Sequence, residues 1–314
     1  MLTDRGIYAA PTPLDLRDLS SVFFAIHLVG GHIGLPIVVA TFLISKTANR
    51  HPTVINFCIV WILYSIIYCL LLYRGDVWLD DPPHDLCLAQ AAMNYAAPPM
   101  AVVAGLEVVL QIWSTFLEPW KEARLACIPR WVKLAAIICP PYLTFISFAM
   151  PAMVVGLHHP DWVDVKNGLY CGLTHGSLYV KYAVPVFCFV FLVFIIGFEV
   201  ASIVQYVRGR QNIKRDFPLV TAKKPSLSPW ARAALFVVYS SLALGAAIMD
   251  LKQISNPFAY MIQAALPLTA FLIFGLQKVG RVAWNVNRIS DDCKIIGCAL
   301  SLALLSPSPP VEWT

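Results

Sequence analysis

Charge is scarce in this chain. Asp, Glu, Lys and Arg make up 13% of its 314 residues, against 59% hydrophobic residues and a mean hydropathy of +0.69. A water-soluble domain carries about 25% charged residues, so the composition excludes one and predicts lipid as the solvent for most of the chain. Cys and His residues at zinc-binding spacing are also lacking. The seven His residues do not form a nucleophile-base or metal-ligand set: His158, His159 and His175 share one predicted loop, and His51 and His84 lie in others. The expectation is a chain that is not an enzyme and holds no cofactor and no metal. The first 19 residues lack the basic start, apolar core and cleavage site of a signal peptide, so the first apolar run is expected to stay in the mature protein. The net charge of +5 comes from basic clusters between apolar runs, a pattern that reports orientation and not nucleic-acid binding.

What is present is a series of long apolar runs. Crossing about 30 Å of hydrocarbon takes about 20 residues at 1.5 Å each, and only helices or closed barrels satisfy the backbone there. Seven runs qualify: Ser20 to Ser45, Pro52 to Tyr73, Leu88 to Leu117, Trp131 to Val155, Tyr182 to Val207, Ala231 to Met249 and Pro257 to Leu276. The predicted fold is an all-α seven-transmembrane bundle over 20–276, after an external segment 1–19. Pro36, Pro98, Pro99, Pro140, Pro141, Pro151, Pro185 and Pro267 lie inside these runs and predict kinks, above all in the third and fourth.

Of the 23 Lys and Arg residues, 17 fall on one side of this topology and 6 on the other, which places the N-terminus outside and the C-terminus in the cytoplasm. The outer side collects acid instead: Asp76, Asp80, Asp81, Asp85, Asp161, Asp164 and Asp250. Of the nine cysteines only Cys87 and Cys171 fall outside, in an oxidising space where pairing is possible; two unpaired thiols are the alternative. Paired, they would close a loop of more than eighty residues and pin the second outer loop over the bundle as a lid.

Seven helices, an external N-terminus, a Cys at the top of the third helix matched to one in the second outer loop, and a basic third inner loop together resemble G-protein-coupled receptors over nearly the whole chain. The stretches RHPTVINFCIVWILYSIIYCLLLY, CLAQAAMNYAAPPM and LIFGLQKVGRVAW are similar to fungal, basidiomycete receptor-like seven-helix proteins. The resemblance implies a plasma-membrane receptor for a small-molecule or peptide ligand, with a heterotrimeric G protein as cytoplasmic partner. It gives a class and no ligand. The chain departs from the rhodopsin-like pattern at STFLEPWKEARL, where an acidic-Arg-aromatic triplet would stand, and in a sixth run without its Pro or Cys-Trp pair. Asn256, Pro257, Phe258, Ala259 and Tyr260 spell Asn-Pro-x-x-Tyr, but Pro257 opens the last run on the outer side, where Pro is an ordinary helix start. No Lys lies in that run, which excludes a retinal linkage.

Under this reading Arg124, Arg208, Arg210, Lys214, Arg215 and Arg232 face the G protein. Residues 277–290 set Val279, Ala283 and Val286 on one face and Lys278, Arg281 and Arg288 on another, the pattern of an amphipathic eighth helix on the inner leaflet. Residues 291–314 form a cytoplasmic tail too short in its apolar part to cross. Charge at bilayer depth is costly and is expected to find partners. Glu107 and Glu199 are therefore candidate switch residues, within reach of Lys133 and Arg232. Gln90, Asn94, Tyr182 and Gln263 are candidate ligand contacts in a pocket among the third, fifth, sixth and seventh runs, and each is first of all a candidate helix-helix hydrogen bonder. A seven-helix transporter of a small solute is the alternative function, although no repeat relates the first three runs to the last three.

Overall fold

The computed structural model describes residues 16–44, 51–75, 82–114, 129–166, 168–173, 178–216, 227–252 and 257–275. The chain is mostly helical. Its helices are α1 (Arg17–Ile44), α2 (Pro52–Tyr68, resumed after Cys69 as Leu70–Arg74), α3 (His84–Ser114), α4 (Arg130–His158), α5 (Leu178–Asp216), α6 (Leu227–Leu251) and α7 (Pro257–Gly275). Five of them are long and apolar enough to cross a membrane: α1, α3, α7, and the segments Leu134–His158 of α4 and Val180–Arg208 of α5. Within the other two, the apolar segments Pro52–Tyr68 and Leu235–Leu251 are shorter. The architecture is that of an integral membrane protein, with apolar side chains such as Leu143, Ile146, Met150 and Val154 of α4 left on the outside of the bundle.

One of the prolines expected to disturb a helix, Pro36, stands two residues beyond a change of helix geometry. Helices α3, α4 and α5 run unbroken through Pro98, Pro99, Pro140, Pro141, Pro151 and Pro185. Helix geometry changes at two places. In α1 the stretch Leu28–Gly34 winds as a π-helix. There Gly30, Gly31 and Gly34 let neighbouring helices approach so closely that a Cβ at Gly31 would lie 2.0 Å from Ser65 Oγ, and one at Gly30 2.5 Å from the Leu268 backbone nitrogen. In α2 the break comes at Cys69, whose N–H donates to both Ser65 and Ile66 carbonyls, at 3.2 and 3.1 Å. Helix α2 starts at a well-made cap: His51 Nδ1 accepts from the Thr53 N–H at 3.4 Å and lies 2.9 Å from Thr53 Oγ1, with Pro52 at the first helical position.

One element is absent from an all-helical expectation. Between α4 and α5, β1 (Val163–Lys166) and β2 (Tyr170–Leu173) form an antiparallel hairpin in which Val163 faces Leu173 and Val165 faces Cys171. Its three-residue turn contains Gly168 at φ 73°, the left-handed conformation that glycine adopts without penalty. Leu169, Tyr170 and Cys171 are buried, so β2 packs against the bundle, while Asp164 of β1 is exposed. Tyr170 stacks on Phe23 of α1 at 6.0 Å and meets Tyr68 of α2 edge-on at 4.9 Å.

Candidate functional site

The hairpin is held by one face of α3. Residues 87, 90 and 94 recur at i, i+3 and i+7, which stacks their side chains on one side of a helix. All three reach β2 at the same residue. Cys87 and Cys171 form a disulfide with Cα atoms 5.1 Å apart. The Cys171 N–H donates to Gln90 Oε1 at 3.0 Å, and the Cys171 carbonyl accepts from Asn94 Nδ2 at 3.0 Å. Gln90 also ties α3 to α2, because its Nε2 donates to the Ile67 carbonyl at 3.0 Å, two residues before the break in that helix. Gln90 thus spends both ends of its amide on backbone groups. Asn94 spends its donor, while its Oδ1 has no partner among the described residues.

Deeper in the bundle lies a small cavity of about 80 Å³. Five helices line it: α2 through Trp61 and Tyr64, α3 through Pro98, Ala101 and Gly105, α5 through Pro185, Cys188 and Ile195, α6 from Phe236 to Asp250, and α7 through Gln263 and Leu266. Small residues make the space, since Ala101, Gly105, Ala243, Ala246 and Ala247 bring little side-chain volume to the wall. Aromatic rings form one side: Trp61 lies 4.9 Å from Tyr64 and 6.1 Å from Tyr239, which stacks on Phe236 at 5.7 Å. Polar groups are few. Gln263 Nε2 donates to Asp250 Oδ2 at 2.8 Å. The buried Trp61 indole N–H has no acceptor among the described residues. Burial pushes the Tyr170 hydroxyl well above its ordinary pKa range, and the nearby Tyr68, Tyr260 and Asp250 add to the shift.

Of the sequence-derived ligand contacts, Gln263 lines this cavity, Gln90 and Asn94 are committed to Cys171, and Tyr182 is exposed on α5 and outside the lining. The sequence reading missed Trp61 and Tyr64, although Trp61, Tyr64 and Tyr68 form an aromatic stripe at helical spacing. It also assigned Asp250 to an outer loop, whereas Asp250 belongs to α6 and faces the cavity.

The two candidate switch carboxylates sit in separate settings. Glu199 Oε1 accepts from Ser240 Oγ at 2.8 Å, which joins α5 to α6. Glu107 stands beside Asn56 without hydrogen-bond geometry, and Asn56 Oδ1 accepts from the Tyr142 hydroxyl at 2.9 Å. The side chains of Lys133 and Arg232, expected as their partners, lie outside the described residues, as do those of Arg210, Lys214 and Arg215. Arg208 is exposed at the end of its segment of α5. Arg124, the amphipathic segment 277–290 and the tail 291–314 also lie outside the described residues. Among the described residues no cluster of three or more His, Cys, Asp or Glu side chains could hold a metal ion.

The chain matches no protein-family model and no curated protein sequence.

Proposed function

We propose that the chain is a seven-helix membrane receptor that passes an external chemical signal to a cytoplasmic heterotrimeric G protein by rearranging its helices. Seven crossings are supported by adding α2 and α6 to the five longer spans. From Pro52 to Arg74 helix α2 rises roughly 34 Å, and from Leu227 to Leu251 α6 rises roughly 37 Å, each enough for a hydrocarbon core of about 30 Å. The excess of Lys and Arg on one side orients the N-terminus outward and suits a plasma-membrane location. The observation that carries the receptor reading is the cavity. It is lined by five helices at once and is apolar with a few polar groups, so a molecule bound there touches every element whose relative position a signal would change.

The Glu199–Ser240 bond between α5 and α6 is the contact such a rearrangement would break or reform, because both helices also line the cavity. The test pairs two assays on membranes containing the chain. A receptor accelerates nucleotide exchange on an added G protein when ligand is present and moves no solute. Solute uptake without exchange, in contrast, identifies a transporter and overturns the proposal.

A further inference from the structure

Resting on the reading of this cavity as a ligand site, we propose that its ligand is a compact neutral molecule whose one polar group accepts a hydrogen bond from the Trp61 indole, as the oxygen of a small ketone or aldehyde does. The size of the cavity sets the first term. An engineered cavity of about 150 Å³ takes benzene, with six non-hydrogen atoms, so one of about 80 Å³ has room for about three or four.

An unmet donor sets the second. Trp61 lines the cavity and is 3% exposed, and its Nε1–H has no acceptor among the described residues, a costly state for a buried N–H. Two other polar residues of the wall are already engaged. Ser240 donates to Glu199 at 2.8 Å, and Asp250 accepts from Gln263 at 2.8 Å and has a further interaction besides. What Trp61 lacks is an acceptor, and a cation cannot supply one. The rest of the wall sets the third term. The side chains of Pro98, Ala243, Ala246, Ala247 and Leu266 offer no hydrogen bond, so a formal charge or a second polar group on the ligand would give up its water there without return.

Acetone and 2-methylpropene test this, because they share one planar shape of four non-hydrogen atoms and differ only at the oxygen. The purified full-length chain, in lipid nanodiscs, carries nitrogen-15 in its nine Trp residues, and the indole N–H signals are followed by NMR during titration. Trp61→Phe identifies the Trp61 signal by its loss. Acetone should move that signal downfield and saturably, as formation of a hydrogen bond requires, and 2-methylpropene should not. At the best efficiency attainable by so small a ligand Kd is about 40 µM, so binding is expected between that value and the low millimolar range. Affinities for both probes are also read from the methyl signals of Ala243 and Ala246. In Trp61→Phe acetone should bind about tenfold more weakly, while 2-methylpropene changes by less than about threefold. Acetone without a saturable shift at Trp61, an equal downfield shift from the alkene, or a Trp61→Phe chain that keeps its acetone affinity each overturns the inference. The contrast between the two probes on the unmodified chain stands whether or not the variant folds. Nucleotide exchange is scored separately. Acetone binding without exchange leaves this inference standing and counts against the receptor reading, whereas exchange driven by a charged ligand that leaves the Trp61 signal in place does the reverse.

Discussion

Replacing Gln90 by Leu keeps the volume of the side chain and deletes its amide. Two backbone groups then lose their partner: the Cys171 N–H, which donates to Oε1, and the Ile67 carbonyl, which accepts from Nε2. Gln90 is fully buried, so water does not reach the site to replace either bond. Each orphaned group costs about 1–3 kcal/mol, which sums to about 2–6 kcal/mol and lowers the unfolding midpoint by roughly 5–20 °C. Asn94→Leu makes the contrast. It orphans one group, the Cys171 carbonyl, and also removes an Oδ1 that already lacked a partner, so its loss should be half as large or less. The free thiols of Cys58, Cys69 and Cys188 are buried and serve as the reporters: a fluorogenic thiol reagent labels them only as the bundle opens on heating. A Gln90→Leu midpoint within a degree or two of the unmodified chain, or an Asn94→Leu chain that is the weaker of the two, would refute the reasoning.

Further outcomes follow from the same structure. Gly31→Ala should lower the midpoint by several degrees because its Cβ meets Ser65 Oγ, while Gly197→Ala, with nothing within 4 Å of its Cβ, should raise it slightly or leave it unchanged. Replacing Cys87 and Cys171 together by Ser releases a loop with a sequence separation of 84, worth about 4.5 kcal/mol in the chain-entropy model, read as a lower midpoint in the same thiol assay. Burial lowers the pKa of His51 from its ordinary 6.5, so the stability it contributes is present above that value and is lost as pH falls through the lowered one, when the cap acceptor protonates. His51→Asn keeps a cap acceptor and should flatten that acid limb, whereas His51→Ala should cost about 1 kcal/mol at neutral pH, both read from unfolding midpoints across pH.

The helices were legible because hydropathy over twenty residues depends on the solvent and not on distant partners. Helix α3, read as Leu88 to Leu117, runs His84–Ser114, and α5, read as Tyr182 to Val207, runs Leu178–Asp216. The pairing of Cys87 with Cys171 was one of two open readings and is the one found. The hairpin carried a local signal that went unused: Asn167–Gly168 between Val163, Val165 and Leu169, the strongest short-range mark of a β-turn. The roles of Gln90 and Asn94 were not legible, since their partner lies 77 to 81 residues away and a side-chain amide at the head of a helix looks the same whether it faces a ligand or a strand. Asp250 was misplaced by treating the end of hydropathy as the end of the helix; α6 runs to Leu251. The π-turn, which ends two residues before Pro36, and the Cys69 break fall where neighbouring helices crowd or grip the backbone, a constraint that no local stretch of sequence carries.

The attachment of the hairpin has a kinematic meaning. A disulfide alone is a swivel, which leaves the strand free to rotate about the bonds between two chains. Adding a hydrogen bond to each backbone group of the same residue removes that rotation, because one covalent and two polar ties, fixed at three heights on α3, leave β2 no axis to turn about. The strand is therefore bolted, not hinged. Any displacement of the hairpin carries the N-terminal half of α3 with it, and that helix continues past Pro98 and Gly105 along the cavity wall.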